Sequence, residues 1–159
     1  MAQTGKVLKW SALVLGAAFI AIQFVPYGRD HSNPPVTAEP VWDSARTRRL
    51  AVQSCYSCHS NETKWPWYSN IAPASWLIQR DVEEGREEFN FSEGDGEKDA
   101  DDAAETIAEG EMPPLRYVIS NPSAWLSGEE KRELIDGLMR TFGNGDDGGS
   151  GNADGDDDD

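Results

Sequence analysis

The chain has 159 residues, enough for one domain with a modest core and too few for two. Lys and Arg number 14 against 29 Asp and Glu, a formal charge of −15, while 38% of the residues are hydrophobic, so the chain is acidic but within the globular range. That balance excludes nucleic acid as the main partner, because nucleic acid is gripped through Lys and Arg.

Residues 1–9 carry Lys6 and Lys9 and no acid, and Val7 to Val25 is almost wholly apolar. At about 1.5 Å per helical residue, such a stretch approaches the roughly 30 Å hydrocarbon core of a bilayer. Lysines at its start predict an N-terminus in the cytoplasm, and Trp10 and Tyr27 fall near the two ends, where amphipathic rings sit at headgroups. A cleaved signal peptide competes with a retained anchor, and Ala17 and Ala18 keep that option open. Either way the remainder lies outside the cytoplasmic membrane. Residues 1–26 are therefore read as a signal anchor or transmembrane helix.

Tyr27 to Pro40 holds Gly28, Pro34, Pro35 and Pro40, which predicts an extended connector. His31 lies in it and is a candidate second metal ligand, although a lone His in a polar linker is more often simply exposed. Asp43 and Ser44 are N-cap candidates for a short helix, Ala45 to Ser54.

That helix leads into Cys55-Tyr56-Ser57-Cys58-His59. A Cys-x-x-Cys-His run is the attachment signature of a c-type haem. Two thiols on one turn can reach the vinyl groups at one porphyrin edge, and the following imidazole is aimed at the iron. The rivals lack their partners. A structural zinc site wants four Cys or His ligands, and the chain offers these three and distant His31. No βαβ context supports a thioredoxin-like pair.

After the motif, Trp65-Pro66-Trp67-Tyr68 cannot sit in a regular helix or a central strand, and is expected to wall the macrocycle. Ala72-Pro73-Ala74-Ser75 reads as a turn into a helix that Ser75 caps and Gly85 ends. Arg86 to Ser92 alternates apolar with polar residues and is expected to be extended. An acidic cluster from Glu93 to Asp102 reads as a solvated face, and Glu97 to Glu109 as an acidic helix stopped by Gly110. Met112 follows that stop and precedes Pro113 and Pro114. A loop methionine stiffened by proline is the expected distal iron ligand; Met139, inside an amphipathic helix, is a gap-filler instead.

Ser127 with Glu130 forms a capping box, and Leu134, Ile135, Leu138, Met139 and Phe142 form the apolar stripe of the last helix. Residues 44–54 and 128–142 are the predicted packing partners. The tail 143–159 is Gly, Asn and Asp without a large apolar residue, and is expected to stay disordered.

Over residues 25–142 the chain resembles the haem-binding domain family with a single Cys-x-x-Cys-His motif, found in membrane-anchored proteins. The resemblance is carried by Tyr27 to Pro35, Cys55 to Asn61, Trp65 to Ser69, Ala72 to Leu77, Gly85-Arg86, Asn90-Phe91-Ser92 and Gly110 to Pro114. It departs at Glu93-Gly94, where a Trp is common, at Leu115, where an aromatic is common, and at Asn121-Pro122, where some members have His-Pro. The resemblance implies a covalent haem and a cytochrome-c-like helical fold, with no settled reaction.

The expectation is a mostly α protein: a small cytochrome-c-like helical haem domain over residues 27–142 behind one N-terminal transmembrane helix. Cys55 and Cys58 would hold one covalent haem c, with His59 as proximal and Met112 as distal iron ligand and Trp65, Trp67 and Tyr68 as the haem wall. The expected function is one-electron transfer to an unspecified redox partner protein at the outer face of the cytoplasmic membrane, by a carrier rather than an enzyme. The alternative is a haem-based ligand sensor or weak peroxidase with a labile distal site.

Overall fold

The structure, a computed structural model, describes residues 2–94 and 100–143. The tail beyond Gly143 and residues 95–99 of the acidic cluster, where disorder and a helix start were expected, lie outside the described residues. Seven α-helices and no strand occur among the described residues: α1 Ala2–Ile22, α2 Ala45–Ser54, α3 Tyr56–His59, α4 Ala74–Glu88, α5 Ala100–Glu109, α6 Leu115–Ser120 and α7 Gly128–Phe142. Short 3-10 turns cover Trp67–Asn70 and Pro122–Ala124.

Helix α1 stands apart. Gln3–Ile22 is long and apolar enough to cross a membrane, and none of the described residues buries that span. Helices α2, α3, α5 and α7 build one core. Along α2 the buried residues Thr47, Leu50, Ala51 and Ser54 recur at helical spacing and make a single stripe. Of the two cap candidates, Ser44 takes the role: its Oγ accepts the Thr47 N–H at 3.1 Å. Helix α7 answers with Leu134, Gly137, Leu138 and Phe142, and its capping box is formed at both bonds, Glu130 N–H to Ser127 Oγ and Ser127 N–H to Glu130 Oε2.

Helices α2 and α7 pack together as expected. They approach so closely that a methyl group at Gly137 would run into the Thr47 side chain. Helix α5 lies on the other side of α7 and contributes Ile107 and Ala103 to the core. An aromatic cluster closes the end, with Trp42, Tyr56, Phe91 and Phe142 in contact; the Tyr56 and Phe91 rings stack at 5.2 Å.

Helix α4 departs from the expected limits. It begins at Ala74 behind Pro73, so Ser75 is an interior, fully buried residue and not the cap. It also runs through Gly85 to Glu88, and only from Phe89 is the chain extended. Gly85 is small because of what it touches: a Cβ there would stand 2.9 Å from the Cys58 carbonyl oxygen and 3.0 Å from the Cys58 Cβ. The glycine marks the crossing of α4 over α3 and is not a stop. Helix α6 was not foreseen.

The connector from Tyr27 to Pro40 wraps the domain through a polar network. Arg86 donates to the Ser60 carbonyl at 2.9 Å, to Asn33 Oδ1 at 3.0 Å and to Thr63 Oγ1 at 3.0 Å. Buried Asn90 donates to Asn61 Oδ1 at 2.9 Å, and Asn61 in turn donates to the Pro35 carbonyl and to Glu93 Oε1, both at 3.1 Å. The Asn61 and Asn90 amides are thereby partnered, as the low-dielectric interior requires.

Candidate functional site

The Cys55–His59 run sits where α2 breaks into α3. Cys55 is the hinge: it caps α2 through its N–H to the Ala51 carbonyl at 2.8 Å, and its own carbonyl accepts from Cys58 and His59 at 3.0 Å each. That turn places Cys55, Cys58 and His59 on the wall of one cavity of about 490 Å³. The volume lies within the roughly 300–1,000 Å³ of small-molecule and cofactor pockets.

His59 is held from behind. Its ring stacks on Phe89 at 4.2 Å and 16°, and its Nδ1 lies 3.3 Å from the Phe89 carbonyl oxygen. A carbonyl only accepts, so Nδ1 carries the proton and the Nε2 lone pair is left for another partner. Burial pulls the imidazole below its ordinary pKa, against the opposing pull of the Phe89 and Gly85 carbonyls. Phe89 itself is anchored from two residues on: Phe91 N–H donates to the His59 carbonyl at 2.9 Å, and the Phe91 ring is buried in the core.

The thiols are half-buried. Burial pushes Cys55 up, and pushes Cys58 up to about 11, with the Asp81 carboxylate adding to the effect. Both are therefore neutral thiols in this environment.

Further wall is supplied by α5 and the loop after it. Gly110, at φ +82°, reverses the chain at the end of α5. Its N–H donates to the Ile107 carbonyl, and the N–H groups of Glu111 and Met112 both donate to the Thr106 carbonyl, at 2.9 and 3.2 Å. This is the Schellman arrangement, which needs a residue tolerant of positive φ at the reversal. It turns Met112, with Pro113 and Pro114, onto the cavity. Met112 remains 36% exposed.

The remaining walls are mostly apolar, Phe89, Phe91, Ala103, Ile107, Leu134 and Leu138, with Ser54 and Thr106 among them. Around the opening stand Asp81, Glu84, Glu88 and Asp102, with Arg116 paired to Asp81 at 2.7 and 3.2 Å. Tyr117, on α6, donates to Ser57 Oγ at 2.7 Å and stands between this cavity and a second of about 510 Å³, which shares Cys58, Asp81 and Arg116 with the first.

Cys55, Cys58, His59 and Met112 are thus brought together around one space. The aromatic loop is not. Trp67 is 77% exposed, Trp65 stacks on His31 at 4.7 Å, and Tyr68 lines the second cavity instead. The wall expected from Trp65, Trp67 and Tyr68 is supplied by Phe89, Phe91 and core-helix residues, because the loop packs on α4 and the connector. His31 is also elsewhere, half-buried against Trp65 with Nε2 3.1 Å from the Ser69 carbonyl oxygen. Phe89 and Gly85 were missed as site residues; their adjacency to the motif exists only in the fold.

Among the described residues no three His, Cys, Asp or Glu side chains are grouped to hold a metal ion by themselves. One imidazole and one methionine side chain on the same cavity suit a metal that arrives with its other ligands already in place. The two thiols suit covalent attachment of the group that carries them.

Comparison with curated proteins and with solved structures found no match. The model of the haem-binding domain family matches residues 17–140. That stretch runs from within α1 almost to the end of α7 and contains every residue lining the cavity. The chain belongs to the haem-binding domain family.

Proposed function

We propose that the chain is a membrane-tethered c-type cytochrome domain that passes single electrons. The observation that carries this reading is the convergence of Cys55, Cys58, His59 and Met112 on one apolar cavity. The residues fit the group: two thiols for the attachment, a His59 Nε2 freed by the Phe89 carbonyl, and a soft thioether on the same cavity. Haem, when bound, supplies a one-electron couple whose potential follows its axial ligands and the polarity around it.

The protein's own part is positional. His59 is locked in orientation by the stack on Phe89 and the bond to its carbonyl, the kind of outer support that fixes a ligating imidazole. Phe91, Ile107, Leu134 and Leu138 exclude water from the cavity wall, favouring the lower-charge state of whatever is held there. With His59 and Met112 both given to the iron, no position would be left open for a substrate, and the site would pass electrons only. In this reading α1 is a retained anchor, its lysine-bearing end faces the cytoplasm, and the domain lies on the outer side.

The attachment is tested by denaturing the holoprotein in detergent. The chromophore stays with the wild-type chain and separates from a Cys55→Ser/Cys58→Ser variant. Loss of the chromophore from the wild type as well would remove the covalent reading.

A further inference from the structure

The exit of α1 is fastened to the domain at one place. The side-chain amide of Gln23 bonds both backbone groups of Ala72: Nε2 donates to the Ala72 carbonyl at 2.9 Å, and Oε1 accepts the Ala72 N–H at 3.0 Å. Arg29 donates to the Gln23 carbonyl, Tyr27 donates to Glu83 Oε2 at 2.7 Å, and Gly28, at φ +76°, lies flat against the Ser75 carbonyl where no side chain fits. The last turn of α1 and the start of α4 therefore move as one piece.

This fixes a depth. Gln3–Ile22 is 20 residues, about 30 Å of helix and so one hydrocarbon core thick. Gln23 is the first residue beyond it, and Ala72 is within hydrogen-bond reach of Gln23. The headgroup layer adds roughly 5–7 Å on each side. The residues next to Ala72 must then lie within or against that layer. They are apolar and uncovered: Ile71 is 38% exposed, and Trp67, opening the turn that ends one residue before Ile71, is 77% exposed. Phe24 and Val25 are exposed on the anchor's side of the same junction.

We propose that the Trp67–Ile71 turn is a second membrane contact, seated in the lipid headgroup layer of the bilayer that α1 crosses. An exposed indole beside an apolar residue is the side chain favoured at that depth. The occupant of this face is lipid because Gln23, which follows the span, is bonded to Ala72, the neighbour of Ile71. The contact holds the domain at one tilt, and with it the direction in which the cavity between α3 and the Met112 loop faces. The inference rests on the anchor reading given above.

The test uses the full-length holoprotein labelled with 5-fluorotryptophan, in phosphatidylcholine nanodiscs carrying a headgroup-level nitroxide lipid. Trp10→Phe, Trp67→Phe and Trp125→Phe assign three fluorine resonances. Trp10 reports α1; Trp125, 63% exposed in the segment just ahead of α7, is the exposed control. Broadening of Trp10 and Trp67 by the nitroxide, with Trp125 left sharp, is the expected result. If Trp10 broadens while Trp67 stays as sharp as Trp125, the anchor stands and the second contact is overturned. Equal broadening of Trp67 and Trp125 overturns it too, since mere surface encounter then explains both. A sharp Trp10 removes the anchor reading and the proposal with it.

Discussion

Gly85, in the last turn of α4, and Phe89, the residue just beyond its end, between them decide where His59 can be. Gly85 lets the helix backbone close on Cys58, and Phe89 offers both the ring and the carbonyl that hold the imidazole. A methyl at position 85 meets backbone atoms that cannot swing away. Gly85→Ala is therefore expected to lower stability by about 1–3 kcal/mol, as overpacking does, read as a lower midpoint in chemical denaturation of the holoprotein; an unchanged midpoint would show that α3 and α4 separate easily. In the sequence Gly85 looks like a helix stop, because a glycine's reason for being small is a contact and contacts between distant segments are not written locally. That Cys55, Cys58 and His59 share one cavity wall was legible because their spacing puts them on one turn. Met112 was legible because a glycine stop and two prolines make a local signal.

At the scale of the elements, α2 and α7 were readable from caps and stripes, since both signals are set within one helical turn. Ser127→Ala removes the cap of α7 and is expected to cost about 1 kcal/mol, with a range of roughly 0.5–2; urea denaturation with an unchanged slope checks it. The connector was readable only as extended. Its true partners, Asn33 with Arg86 and Pro35 with Asn61, are more than twenty residues apart in sequence. Asn61→Ala leaves the buried Asn90 amide without its acceptor, at a cost of about 1–3 kcal/mol for an unsatisfied buried group. Asn61→Ser should recover part of that loss if the hydrogen bond, and not the side-chain volume, is what matters. The aromatic loop was misplaced for a similar reason: proximity in sequence to the haem motif suggested a wall, while Pro66 and the 3-10 turn carry Trp67 outward.

For the whole molecule, the charge pattern matters more than the net value. Glu39 gathers Arg48 at 2.6 Å, Trp42 Nε1 at 3.1 Å and the Tyr56 hydroxyl at 3.1 Å on one carboxylate oxygen, tying the connector to α2 and α3. The Arg48 hydrogen bond, foremost, holds its carboxyl below the ordinary range. A depressed folded-state pKa gives stability that is fully present above the ordinary carboxylate range and is lost as pH falls through the folded value. Stability of the wild type should therefore fall on acidification more steeply than that of Glu39→Gln, and parallel acid limbs in the two proteins would deny Glu39 this role.

The account stands or falls on what faces His59 across the cavity. The most direct measurement is the absorption spectrum of the reduced holoprotein before and after carbon monoxide, for the wild type and for Met112→Ala. The account predicts an unchanged wild-type spectrum, because His59 and Met112 already fill both axial positions, and a rapid shift in Met112→Ala. Complete carbon monoxide binding by the wild type would contradict it and make the site an open one, suited to ligand sensing or peroxide chemistry rather than to electron transfer.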